Sequence, residues 1–245
     1  MKLFLRSVLF GFLVLLAQPA AAIVHQRTFS FSRVPDVQTL RYGISVPDDY
    51  NPDQARPLVL ALHPGGERLP FYGSRYLSGF FMAPLKGLGA IVVAPDCPTR
   101  TWTDAGAEQA VMALLEEVLR EYTIDRRRIL VTGYSMGGRG TWFMSSRHAD
   151  FFTAAITIAG SPEGQPLDSL GRIPTYAIHS RNVEVVPLGP DQRVTEELDR
   201  LGRPVKLEVV GGGGHYDRES YMEAFGRAVH WVEEHWQSGQ RSAGR

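Results

Sequence analysis

Cysteine is almost missing from this chain of 245 residues, where Cys97 stands alone. One thiol cannot close an intramolecular disulfide, so stability has to come from a hydrophobic core rather than from cross-links. Cys97 follows the apolar run 90–94 and sits between Pro95 and Pro98, which reads as a structural residue at a strand end. Net charge is missing too, with 26 Lys plus Arg against 26 Asp plus Glu. The basic residues are scattered except for Arg126-Arg127-Arg128, read as a solvated rim just before a strand, so no nucleic-acid footprint is expected. The chain has no internal repeat and no long Pro/Gly/Ser linker, and after residue 22 it has no second long apolar segment. These absences predict one domain over residues 23–236, followed by a polar tail, 237–245, expected to be disordered.

The first apolar run has a specific reading. Lys2 and Arg6 lead into the run 7–17, and Pro19-Ala20-Ala21-Ala22 then offers small residues at an A-x-A-like cleavage site. This is the pattern of a secretory signal peptide spanning residues 1–22. An apolar core of about eleven residues is too short for the roughly twenty that cross a bilayer, so no stable membrane insertion is expected after cleavage. The expected location is secreted or periplasmic.

Beyond the leader, hydrophobic patterning predicts strands at 28–31 and 39–46, then short apolar runs at 58–62, 90–94, 129–132, 154–158, 175–178 and 205–210. The first two would form an antiparallel start to the sheet, and the other six suit parallel strands buried on both faces. Helical candidates at 107–122, 192–201 and 219–236 lie between and after them, so strand and helix alternate as in an α/β fold. In the last helix Tyr221, Met222, Phe225, Val229, Val232 and Trp236 recur at helical spacing and are read as core.

Residues 131–142, VTGYSMGGRGTW, carry the strongest chemical signal. Gly133-Tyr134-Ser135-Met136-Gly137 fits G-x-S-x-G, and it falls between a β-type run and a helix start. Such a turn exposes the serine hydroxyl and aims the N–H of Met136 at an oxygen that becomes charged during acyl transfer. A serine needs a base within hydrogen-bond reach. Of seven histidines, His215 stands out because it follows the run 205–210 and Gly211-Gly212-Gly213-Gly214, and precedes the last helix. Strand C-termini in a parallel sheet open on one edge, so Ser135 and His215 are expected there together. A second oxyanion donor is expected from Leu62-His63-Pro64-Gly65-Gly66; Pro64 has no N–H, which leaves Gly65 or Gly66.

With these residues in place the chain resembles the α/β-hydrolase superfamily, and within it the secreted esterases related to feruloyl and acetylxylan esterases and polyhydroxybutyrate depolymerases. The resemblance spans nearly the whole mature chain. It rests on LHPGG at 62–66, VAPDCP at 93–98, GYSMGGRGTW at 133–142, IHSRNVEVVP at 178–187 and GGGGHYD at 211–217. It implies an α/β-hydrolase fold with a mostly parallel eight-stranded sheet, helices on both faces, Ser-acid-His order, no cofactor and no metal. The implied reaction is hydrolysis of carboxylic esters through an acyl-enzyme.

One position departs from the family pattern. Its acid loop resembles H-G-x-x-D-x-x-V-P, and laying IHSRNVEVVP against it puts Val183 where the aspartate belongs. Glu184, next along, is the first candidate for the acid, and Glu163 is the second. A third reading has no acid at all, making the protein a catalytically impaired hydrolase that binds a ligand; a serine peptidase of the same fold is a further alternative. The expected partner is a small-molecule or polymer-linked ester. Trp102 and Tyr216 are the candidates to stack on an aromatic acyl group or sugar. The short span between 154–158 and 175–178 leaves little room for a cap domain. Oligomeric state is not legible in the sequence.

Overall fold

The structure, a computed structural model, describes residues 23–243 apart from 35, 36, 163 and 183. The signal-peptide reading, Glu163 and Val183 therefore lie outside the described residues. Eight strands form one sheet: β1 (Val24–Val34), β2 (Val37–Ser45), β3 (Arg56–Leu62), β4 (Ile91–Pro95), β5 (Ile124–Tyr134), β6 (Ala154–Ile158), β7 (Thr175–Ser180) and β8 (Val205–Val210). Their spatial order is β1-β2-β4-β3-β5-β6-β7-β8. β2 runs antiparallel to β1 and β4, and every pair from β4 to β8 is parallel. All eight expected strands are present, in the expected antiparallel-then-parallel arrangement.

Alternation along each strand assigns the two faces. In β3, Leu58, Leu60 and Leu62 pack on one side of the sheet with Val111, Leu114, Leu115 and Val118 of α3 (Ala105–Glu121). Val59 and Ala61 face the other way, toward Phe225, Val229 and Val232 of α6 (Met222–Ala243). A strand buried on both faces shows no polar side, which is why these runs read as continuous apolar stretches. α4 (Met136–Arg147) adds Trp142 and α5 (Leu188–Arg200) adds Leu198, which meet over Ala177 of β7. The connection from β6 to β7, residues 159–174, contains one 3-10 turn at Leu167–Ser169 and no domain-sized insertion.

Three features differ from the expectation. Arg126, Arg127 and Arg128 lie inside β5 rather than before it, and Asp125 holds Arg127 and Arg128 at 3.2 and 2.9 Å. The last helix continues to Ala243, so the tail expected to be disordered is helical up to that residue. Its apolar stripe ends at Trp236, anchored by an indole N–H bond to Thr153 Oγ1 at 3.0 Å, and polar residues extend the helix without needing a core to face. Finally, residues 72–88, for which no element was expected, are helical but irregular: α1 (Tyr72–Tyr76), a π turn at Leu77–Phe81, α2 (Met82–Leu85) and a 3-10 turn at Lys86–Leu88. Gly73, Gly79, Pro84 and Gly87 weaken its local helical pattern, and burial of Leu77, Phe80, Phe81 and Leu85 holds it against the sheet.

Candidate active site

The C-terminal ends of β3, β5 and β8 converge on one edge of the sheet, beside the point where chain order turns from β3 to β4 on one side and β5 on the other. Ser135 stands between β5 and α4 with φ 57 and ψ −115, a conformation that a non-glycine residue adopts only where its surroundings enforce it. They do so here by hydrogen bonds: the Ser135 N–H donates to Ile158 O at 2.8 Å, and Arg139 N–H donates to Ser135 O at 3.0 Å. Gly137 lets the turn nest against β3, because a Cβ there would overlap the Leu62 carbonyl oxygen.

His215 reaches this serine from the far side of the chain. Its Nε2 lies 2.8 Å from Ser135 Oγ. For the hydroxyl to donate to that nitrogen, the neutral ring must carry its own proton on Nδ1. The ring is buried, packs nearly parallel to Tyr134 at 5.6 Å with a 24° interplanar angle, and the Tyr134 hydroxyl donates to the His215 carbonyl oxygen. Burial and then the nearby His179 charge push the His215 pKa below its ordinary value, and the charge of Glu184 pulls it back up. A neutral imidazole, the form able to accept a proton, is therefore favoured.

The acid side is less complete. His215 Nδ1 is buried without a hydrogen-bond partner among the described residues. Glu184 is exposed and lies beside the histidine loop, with Oε2 3.4 Å from where a Cβ on Gly214 would stand. No hydrogen bond joins its carboxylate to Nδ1. The two loops are laced together below it: Ser180 Oγ donates to Gly213 O at 2.7 Å, and Asn182 Nδ2 donates to Gly212 O at 2.6 Å.

The loop after β3, where the second oxyanion donor was expected, packs closely on its neighbours. Gly65 lies against Met136, with a Cβ on it 3.8 Å from the Met136 side chain. Gly66 has φ +145, and a Cβ there would stand 2.8 Å from the Tyr72 hydroxyl, so a side chain is disfavoured by conformation and by space. His63 fixes this loop. Its Nε2 accepts the Cys97 N–H at 2.9 Å, and its Nδ1 donates to Pro64 O at 2.6 Å. Accepting the Cys97 N–H requires the neutral ring, and burial lowers its pKa, against the raising effects of the Pro64 bond and the Asp96 charge. The Asp96 carboxylate in turn accepts Phe71 and Gly73 N–H at 2.8 and 2.9 Å, pinning the start of α1. Sequence reasoning gave His63 and Asp96 no role. The available signal was a histidine next to the Pro-Gly-Gly donors at the end of a buried strand, where an imidazole must find partners.

Trp102 does not fit the stacking role. It is 1 % exposed, its indole N–H donates to His63 O at 2.9 Å, and its ring meets the His63 ring edge-on at 5.0 Å. It is a wall behind the loop after β3 with no face open to a ligand. Tyr216, by contrast, is 77 % exposed and stands edge-on to His215 at 5.2 Å. Cys97 has its thiol pushed up to about 11 by burial, which keeps it a thiol rather than a nucleophilic thiolate.

No family model matches the sequence. Among curated proteins, the chain is 25% identical over 192 residues to "Probable feruloyl esterase C" of Aspergillus niger, covering 74% of this chain and 70% of that protein. It is also 25% identical over 214 residues to "Feruloyl esterase D" of Neurospora crassa, covering 78% and 71%. Among solved structures, a thermostable esterase superposes with a TM-score of 0.72 at 28% identity, over 86% of this chain and 62% of that one. The feruloyl esterase module of Clostridium thermocellum, complexed with sinapinate, superposes with a TM-score of 0.68 at 15% identity, over 85% and 88%.

Proposed function

Because the chain is an α/β-hydrolase related in sequence to feruloyl esterases, we propose that it hydrolyses carboxylic esters through an acyl-enzyme on Ser135. The observation that carries this reading is the 2.8 Å contact between Ser135 Oγ and His215 Nε2 at a strained strand-to-helix turn. His215 Nε2 takes the hydroxyl proton as Oγ bonds to the ester carbonyl carbon. The carbonyl oxygen, now an anion, accepts hydrogen bonds from the N–H of Met136 and of Gly65 or Gly66. The carbon–oxygen bond to the alcohol then breaks, and the alcohol leaves with the proton held by His215. Water, losing a proton to the same nitrogen, attacks the acyl carbon; the bond from that carbon to Oγ then breaks as Oγ takes the proton back from Nε2, which frees the carboxylic acid and restores Ser135 and neutral His215.

Glu184 is our candidate for the acid that holds His215 and stabilises its charged form, since its carboxylate already acts electrostatically on that ring. Tyr216 is the candidate platform for a small or polymer-linked ester at the mouth. The leader at 1–22 and a single domain over 23–236 complete the reading as an exported enzyme, secreted or periplasmic.

The test is fluorophosphonate labelling of the mature protein beside Ser135→Ala, with p-nitrophenyl acetate and butyrate turnover. Labelling and turnover of the parent, both lost in the variant, are expected; wild-type hydrolysis by Ser135→Ala sinks the proposal. The unpartnered Nδ1 of His215 favours one rival, a catalytically impaired hydrolase that binds a ligand. Absence of labelling in a demonstrably folded protein would select it.

A further inference from the structure

The cavity next to the oxyanion donors is where the site carries charge. It encloses about 330 Å3, within the range of small-ligand sites, and Gly65, Gly66 and Met136 form part of its lining. Arg41, Arg68 and Arg100 also line it. Two carboxylates share the space, Glu67 and Asp96. Asp96 is engaged by the Phe71 and Gly73 N–H groups, which leaves Glu67 as the acidic group not held by the loop. The Arg68 guanidinium donates to Thr99 O at 3.1 Å, a contact that positions it without neutralising it. Among the described residues Arg41 and Arg100 make no ion pair. Three arginines thus line this cavity against two carboxylates, of which Asp96 has its oxygens occupied by backbone N–H groups, and the balance is positive.

We propose that this cavity takes the acyl part of the ester and selects acyl groups bearing a distal carboxylate, so that monoesters of dicarboxylic acids are preferred substrates. The proposal rests on the serine-esterase reading above. The orientation follows from the chemistry: the leaving oxygen must receive its proton from His215 Nε2, so the alcohol lies on the His215 side. Neither Ser135 nor His215 lines the cavity, whereas Met136, next to the serine, and the Gly65-Gly66 segment do. An acyl chain attached to a carbon held at Ser135 therefore extends past Met136 toward the arginines. Guanidinium groups match a carboxylate with paired N–H donors, which a neutral acyl chain of equal length cannot use.

The test compares kcat/KM for the p-nitrophenyl monoester of adipic acid with that for p-nitrophenyl hexanoate, in which a methyl group replaces the distal carboxylate. Their ratio is the readout, because it cancels any general loss of activity. The ratio is expected to exceed one in the parent and to fall roughly tenfold in the Arg41→Gln, Arg100→Gln double variant. Raising salt should lower it in the parent as well, since the arginines are exposed and their field is screened. Arg200→Gln, which removes a positive charge from α5 outside the cavity, should keep the parent ratio. A ratio unmoved by both the double variant and salt overturns the proposal. Turnover of neither ester by the parent defeats the esterase reading itself, and this inference with it.

Discussion

At the scale of single residues, the site consists of one well-made contact and one incomplete contact around the same imidazole. Ser135 holds Nε2 of His215, while Nδ1 is buried with no hydrogen-bond partner among the described residues, and a buried N–H left that way costs about 1–3 kcal/mol. A carboxylate that reaches Nδ1 when substrate binds would relieve that cost and hold the imidazolium formed during attack. Glu184→Gln tests this directly. With neutral His215 as the proposed general base, kcat/KM should rise with pH through a single ionisation whose midpoint lies below the ordinary value of 6.5. Removing the Glu184 charge removes the influence that raises this pKa, so the midpoint should move lower still, and turnover should fall by about a hundredfold or more. A variant with full turnover and an unmoved pH profile shows that Glu184 is not the acid.

At the scale of elements, the proposed catalysis depends on how closely α4 can lie against β3. The serine turn and the oxyanion loop belong to different elements, and they meet because position 137 has no side chain between it and the Leu62 carbonyl. Gly137→Ala should therefore act on two readouts together. It should lower stability in urea denaturation by about 1–3 kcal/mol through overpacking, and it should depress turnover more than a surface substitution of equal stability cost. Esterase activity that tracks only the folded fraction would show that the β3–α4 approach does not set the oxyanion geometry. His63 works on the same scale, tying Pro64 to Cys97 so that the loops after β3 and β4 move as one body.

For the whole molecule, burial of neutral histidines makes stability depend on pH. His63, His179 and His215 all have pKa values lowered from the ordinary 6.5, in each case chiefly by burial. The unfolded chain therefore binds more protons than the folded one as pH falls below 6.5. Stability is fully present above that value and declines with acidification until the folded histidines themselves titrate. Thermal melts between pH 7.5 and 5 should show a falling Tm, with a shallower slope in His63→Gln. At Asp125 and Glu208 burial favours the neutral acid, but hydrogen bonds, chiefly from arginines, hold the net pKa below the usual carboxylate range. Their contribution is thus lost only at lower pH, and it does not obscure the histidine window. A Tm independent of pH across this interval contradicts the assignment.

Much of this molecule was legible from local pattern, because local pattern records what a residue must bury. Six apolar runs became six parallel strands, since a segment covered on both faces has no polar alternative, and the two strands read before them became the antiparallel start. Ser135 and His215 were legible because a parallel sheet sends all its strand ends to one edge, so order along the chain already implies proximity. What only the tertiary structure decided depends on contacts between segments remote in sequence. Residues 72–88, interrupted by three glycines and a proline, give no clear helical pattern, and become helical because four apolar side chains find the sheet beneath them. Trp102 looks like a stacking surface, and becomes a buried wall because the His63 carbonyl takes its N–H. His63 looks incidental, and acquires its place from a Cys97 N–H that lies 34 residues away. Residue types and spacing specify which groups need partners; which partners they meet is set by the packing of the sheet edge in three dimensions.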